Sequence, residues 1–133
     1  MQAIKVSSSR RQELVEITSS IREVVQKKGW GTGLLTVFCP HTTAGVTINE
    51  AADPSVPQDI NAVLTHLVPE RGNYKHLEGN SDAHVKSSLM GCSEQILLED
   101  GKPVLGTWQG IFFAEFDGPR SRRVYVGFSP GQQ

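Results

Sequence analysis

The chain has little cysteine, little charge imbalance and no long apolar run, and each shortage removes a class of protein. Cys39 and Cys92 are its two cysteines. They lack metal-ligand spacing, and two thiols in a chain of this size do not make a disulfide scaffold. The expectation is a reduced, intracellular protein. The formal net charge is −1, from 13 Lys and Arg against 14 Asp and Glu. Binding nucleic acid by counterion release needs clustered cations, and Arg120, Arg122 and Arg123 are the one such cluster. No run approaches the ~20 apolar residues of a membrane span. The first residues, Met1-Gln2-Ala3-Ile4-Lys5-Val6, lack the apolar core of a signal peptide. A cytoplasmic protein with no nucleic-acid and no membrane partner is therefore expected.

What is present fits one domain spanning residues 1–133. At 133 residues such a domain buries roughly two thirds of its unfolded surface, enough for a core without staples. Hydrophobic residues at 38% and charged residues at 20% are ordinary globular values, which argues against disorder. Ala3 to Ser7 and Gln12 to Thr18 alternate in polarity around Ser8-Ser9-Arg10-Arg11 and read as a hairpin. Ser20 and Glu23 read as a capping box, with Ile21, Val24 and Val25 on one helical face and a stop at Lys27-Lys28-Gly29.

Gly33 to Cys39 and Val46 to Glu50 read as strands. Asp53-Pro54-Ser55 opens a helix, with Ser55 and Gln58 as a second capping box and an apolar stripe of Ile60, Val63, Leu64 and Leu67 that leaves His66 in solvent. A long polar loop to Asp82 precedes a short helix over 83–90, with Ser81 or Asp82 as its cap. Asp100-Gly101 signals a tight hairpin between Ser93–Glu99 and Lys102–Phe116. Gly106 and Gly110 suit a bulge or a close backbone approach. Trp108 and Ile111-Phe112-Phe113 read as core. Arg123 to Phe128 alternate as a last strand. The fold class is α+β, a mostly antiparallel, sandwich-like sheet with two longer helices and one short one.

Two stretches carry more polar chemistry than folding requires. In Cys39 to Asp53, His41, Thr42, Thr43, Asn49 and Glu50 fall at the ends of strands, where a sheet holds side chains toward a ligand. By default a histidine after proline is a turn residue. The second stretch, Tyr74 to His84, weakens that default by adding His76 and His84 beside Glu78 and Asp82. His84 falls near a helix N-terminus, where free N–H groups meet anions. Neutral histidines suit Zn²⁺ with one open position, and oxygen-rich ligands with retained water suit Mg²⁺, so the expected divalent metal stays open between the two. The arginines near 120 make either a solvated turn or a phosphate clamp.

Three segments together resemble the YjbQ family: His41-Thr42-Thr43-Ala44-Gly45-Val46-Thr47-Ile48-Asn49-Glu50 with Asp53-Pro54; Glu78-Gly79-Asn80-Ser81 with His84-Val85-Lys86-Ser87-Ser88; and Leu105-Gly106-Thr107-Trp108-Gln109-Gly110 with Glu115-Phe116-Asp117-Gly118-Pro119-Arg120. The resemblance runs along nearly the whole chain. It implies a compact α+β subunit that assembles as a homotrimer. It also implies a secondary thiamine-phosphate synthase activity, joining hydroxymethylpyrimidine diphosphate to thiazole phosphate with release of diphosphate. His41, His76 and His84 match the family's histidines. The expected catalytic residues are His41, His84, Glu50 and Asp82, and the expected substrate contacts are Thr42, Asn49, Lys86 and Arg123. The expected metal ligands are His41, His76 and His84. A non-catalytic protein that binds a phosphorylated metabolite or a metal, and a metal-assisted hydrolase, are the alternatives.

Overall fold

A computed structural model describes residues 1–132; residue 133, included in the expected domain, lies outside the described residues. The elements run β1 (Gln2–Ser7), β2 (Glu13–Glu16), α1 (Thr18–Lys28), β3 (Gly33–Phe38), β4 (Ala44–Glu50), α2 (Ser55–Leu67), α3 (Ser81–Met90), β5 (Ser93–Glu99), β6 (Lys102–Pro103), β7 (Gln109–Glu115) and β8 (Ser121–Pro130). All strand pairs are antiparallel, in a five-stranded sheet ordered β1-β8-β3-β5-β6 and a three-stranded sheet ordered β2-β7-β4. The expected α+β class holds, and the sheets stack as a sandwich.

The core follows from strand alternation. Ile4 and Val6 on β1, Leu35 and Val37 on β3, Ile96 and Leu98 on β5, and Val124 and Val126 on β8 point to one side. There they meet Val46, Ile111 and Phe113 of the smaller sheet, with Ile21 and Val25 of α1 closing one edge. β7 is buried along nearly all its length because α2 and α3 cover its other face, where Ala83, Ala114 and Phe116 pack with Leu14, Leu64 and Met90. The layers are therefore large sheet, small sheet, helix pair. Gly45 lets α3 approach β4, since a Cβ there would sit 2.5 Å from the Gly91 carbonyl oxygen.

Several local expectations are corrected. β1 and β2 do not form a hairpin: β1 pairs with β8 and β2 with β7, so the chain crosses between sheets at Ser8 to Gln12. Polarity alternation is the same for either partner, and the intervening Arg11 and Gln12 are engaged by the helices instead of turning in solvent. α1 starts at Thr18 with no side-chain cap, so Ser20 lies inside the helix; Thr18 Oγ1 accepts the Ile111 N–H at 2.9 Å. α2 also lacks the Ser55–Gln58 box. Asp53 Oδ1 takes both the Ser55 N–H (2.9 Å) and its hydroxyl (2.7 Å). Trp108 is 62% exposed and is not core, since it sits in the turn that carries the chain from one sheet to the other. Other expectations stand. Gly29 caps α1 at φ 65°, His66 is exposed, and Asp100 (φ 48°) and Gly101 (φ 77°) make the tight turn between β5 and β6. That hairpin's second arm ends at Pro103, after which β7 enters the other sheet, so the strands flanking His41 also divide between sheets.

Asp82 and Lys86, one helical turn apart on α3, face inward. Asp82 is fully buried and Lys86 is 1% exposed. Arg11 grips Asp82 with two parallel bonds, Nη1 to Oδ2 at 3.0 Å and Nη2 to Oδ1 at 2.9 Å, while Lys86 Nζ donates to Oδ2 at 2.8 Å and to Gln12 Oε1 at 2.9 Å. Gln12 in turn donates to the Asn61 carbonyl on α2, and Arg11 Nε lies 3.3 Å from Glu70. The network fastens both helices to the β1–β2 crossing. Removing one partner strands a buried charge, so Asp82→Asn is expected to cost about 3–5 kcal/mol of stability. A chemical denaturation midpoint that did not move would refute this assignment.

Candidate functional site

At one end of the sandwich, where β4 and β8 begin and β7 ends, Pro40 to Thr43, Glu78, Asn80, His84, Asp117, Arg120 and Arg122 line a mostly polar cavity of about 410 Å³. That volume accepts a small metabolite. Its floor is a buried ion pair. Arg122 Nε donates to Glu115 Oε1 at 2.9 Å and Oε2 at 3.2 Å, and Nη2 reaches Oε2, the Thr43 hydroxyl (2.8 Å) and the Thr43 carbonyl (3.3 Å). Glu115 also accepts from Ser8 Oγ at 2.6 Å and from the Asp117 N–H at 3.1 Å. Burial alone would raise its carboxyl, but these donors hold it below the usual carboxylate range. Arg122 lines the cavity, and its Nη1 has no protein partner among the described residues.

His41 stands where β3 has ended but β8 continues. Its Nε2 lies 3.1 Å from both the amide nitrogen and the carbonyl oxygen of Arg123, occupying the place of a missing ladder partner. The imidazole meets Phe113 edge-on, with ring centroids 6.3 Å apart. Partial burial holds its pKa below the ordinary histidine value, and the nearby Arg122 cation adds to the depression. The ring is thus neutral near pH 7.

α3 supplies the opposite wall. Ser87 donates to the Ala44 carbonyl at 2.6 Å, which sets the helix against the start of β4 and brings His84, one turn earlier, to the cavity. His76 stands edge-on to His84 at 5.3 Å between centroids, with its Nε2 3.6 Å from Glu78 Oε2. Asn80 donates to Asp117 Oδ2 at 3.0 Å, leaving its own buried Oδ1 without a partner. Arg120 is held by the Asp117 carbonyl (2.8 Å) and carboxylate (3.2 Å).

Of the expected site residues, His41, Thr42 and His84 meet at the cavity, and His76 touches its edge through His84. Glu50 and Asn49 do not join them. The β4–β7 register places Glu50 opposite Gln109 and Ala44 opposite Glu115, so both residues sit about 20 Å away at the far end of β4, with Glu50 Oε2 accepting the Asp53 N–H at 3.2 Å. Asp82 and Lys86 are scaffold, sealed in the network with Arg11. The Arg123 side chain is exposed and does not line the cavity; its backbone contributes by holding His41. Among the described residues no three His, Cys, Asp or Glu groups are placed to hold a metal ion, so His41, His76 and His84 do not form a closed ligand set within one chain. Sequence reasoning missed Glu115, Asn80 and Asp117 and left Arg122 open. The available signal was Glu115 itself, a charge inside the apolar run Ile111 to Phe116.

The fold is thus a two-sheet α+β sandwich with a histidine- and arginine-lined cavity at one end. The chain belongs to the YjbQ-like UPF0047 family, whose pattern matches residues 2–131. UPF0047 protein MJ1081 of Methanocaldococcus jannaschii is 57% identical over 122 residues, covering 92% of this chain and 88% of that protein. UPF0047 protein YugU of Bacillus subtilis is 42% identical over 127 residues, covering 95% and 96%. A YjbQ/UPF0047 family crystal structure from Clostridium acetobutylicum superposes with a TM-score of 0.94 at 50% identity, covering 97% of this chain and all of that one.

Because His41 is depressed in the folded state, its neutral form contributes stability that is complete above the unfolded histidine value, about 6.5, and is lost as pH falls through the folded value. His41→Gln is therefore expected to flatten the decline in thermal midpoint below pH 6.5. Parallel profiles for parent and variant would contradict the neutral imidazole.

Proposed function

We propose that the cavity binds the phosphate-bearing end of a small metabolite, and that the reaction is the thiamine-phosphate synthase condensation. The observation that supports this best is the convergence of His41, Thr42, His84, Arg120 and Arg122 on one small polar cavity. Guanidinium groups match phosphate oxygens in geometry as well as charge. The specific reaction rests on the family resemblance. In it, the thiazole nitrogen lone pair forms a C–N bond to the pyrimidine methylene carbon as the C–O bond to diphosphate breaks, and diphosphate leaves with that electron pair. Groups already aimed at the departing diphosphate stabilise the charge that develops there. A non-catalytic phosphometabolite binder is the second reading, because the same cavity arginines and histidines would hold a phosphorylated molecule whether or not it reacts. A divalent ion has no closed ligand set within one chain, and no step is assigned to it.

The setting we infer is cytoplasmic. Cys39 and Cys92 are both free thiols, and no helix among the described residues is long and apolar enough to cross a membrane. We also propose a homotrimer. Val63, Leu67 and Leu89 on the helix layer, and Phe38, Leu97 and Val104 on the outer side of the large sheet, are exposed apolar side chains. Light scattering of the untagged protein at micromolar concentration should report three chains, and a monomer would end that proposal.

With both substrates, the purified protein should form thiamine phosphate and diphosphate, measured by chromatography. His84→Ala should lower turnover by about two orders of magnitude with little change in stability, since His84 is only half buried. Absence of product while diphosphate still binds would favour the binder.

A further inference from the structure

We infer that this cavity is an oxyanion receptor that holds phosphate and diphosphate through the chain's own N–H and O–H donors, without a divalent metal. The inference rests on the phosphate-binding reading above and specifies how the anion is held.

Residues that line the cavity from separate parts of the chain carry donors without a protein partner among the described residues: Arg122 Nη1, Arg120 Nη1, the Thr42 hydroxyl and the His84 ring. Arg122 is the best oriented of them. Its Nε and Nη2 are fixed by Glu115 and Thr43, so the planar guanidinium, Nη1 included, is held in place before any ligand arrives. Glu115 in turn meets donors from Ser8, Asp117 and Arg122, and does not turn its charge toward the cavity. At His41 the Arg122 cation lowers the imidazole pKa more than Glu115 raises it; Glu78 and Asp117 also line the cavity, Asp117 paired with Arg120.

The His41 ring offers a further argument. Nε2 can serve one of the two Arg123 backbone groups at 3.1 Å. If it accepts the Arg123 N–H, the neutral ring carries its proton on Nδ1 and is an anion donor. If it donates to the carbonyl, Nδ1 is a free lone pair suited to a metal, but the Arg123 N–H loses this partner. Orphaned N–H groups are rarer in proteins than under-satisfied carbonyls, so the backbone favours the donor tautomer. The absence of a three-ligand cluster of His, Cys, Asp or Glu among the described residues agrees with this.

The test is titration calorimetry of the purified, untagged protein with inorganic phosphate and with diphosphate, in excess EDTA and again with Mg²⁺ or Zn²⁺. Binding in EDTA is expected, weakened about tenfold by Arg120→Gln, as loss of a charge-assisted bond implies, and also weakened by Thr42→Val. Lys102→Gln, remote from the cavity, should bind as the parent does. Binding that needs the metal, no binding under any condition, or binding in EDTA that ignores both cavity variants would each overturn the inference. Thiamine-phosphate formation is assayed separately. Metal-dependent binding with turnover would sink only the metal-free receptor, and EDTA-resistant binding without turnover would sink only the synthase.

Discussion

The buried Glu115–Arg122 pair is the constraint on which the rest of this end of the molecule depends. Glu115 closes β7 in the small sheet and Arg122 opens β8 in the large one, so the pair bridges the sandwich where its two layers would otherwise part. Two charges taken out of water are not in themselves a source of stability, because desolvation offsets much of their attraction. What they fix is geometry. Ser8 from the β1 end and Thr43 from the β4 start complete the shell, so four chain segments share one register at the cavity floor.

The second network acts on the opposite wall. Burial of Asp82 would favour its neutral form, yet hydrogen bonds from Arg11 and Lys86 keep it ionised below the usual range. With its charge matched on both sides, α3 cannot rotate without exposing an unpaired group, and His84 inherits that orientation. The residue types that suggested catalysis at Asp82 and substrate contact at Lys86 therefore act on the cavity wall indirectly. An acid and a base one helical turn apart make a good pair for chemistry or for packing, and only the direction in which they face decides between the two.

That distinction explains what the sequence could reveal. Features set by local backbone rules were legible: the Asp100-Gly101 turn, the Gly29 cap, the alternating strands β3, β4 and β8, and the exposed face of α2. That His41 and His84 could share a cavity was legible because each lies at the end of an element. Glu50 and Asn49 lie at a strand end too, but the one away from the cavity, since a seven-residue strand has two ends about 20 Å apart and neighbours in sequence give no hint which end faces the cavity. The β1–β2 crossing was illegible for another reason. Ser8 and Arg11 look like solvent-facing turn residues until Glu115 and Asp82, more than 70 positions away, claim them.

The exposed apolar side chains bear on the proposed trimer through symmetry. A two-fold dimer needs one self-complementary patch, whereas a closed ring of three needs two different patches that fit each other. This subunit carries two: Val63, Leu67 and Leu89 on the helix layer, and Phe38, Leu97 and Val104 on the far side of the large sheet. α2 is the more telling of them. None of its residues is fully buried, and a 13-residue helix is marginal in water when little of it is packed. Leu64 and the Gln12–Asn61 bond hold it to the subunit, but its outer stripe of Val63 and Leu67 is apolar without an intramolecular reason. A patch of this kind, lying beside the wall that carries His84, would link the proposed assembly to the cavity through α3. Contacts made on the outer side of that helix would stiffen the same element whose inner side is locked by Asp82, and would so reduce the freedom of the histidine that lines the cavity.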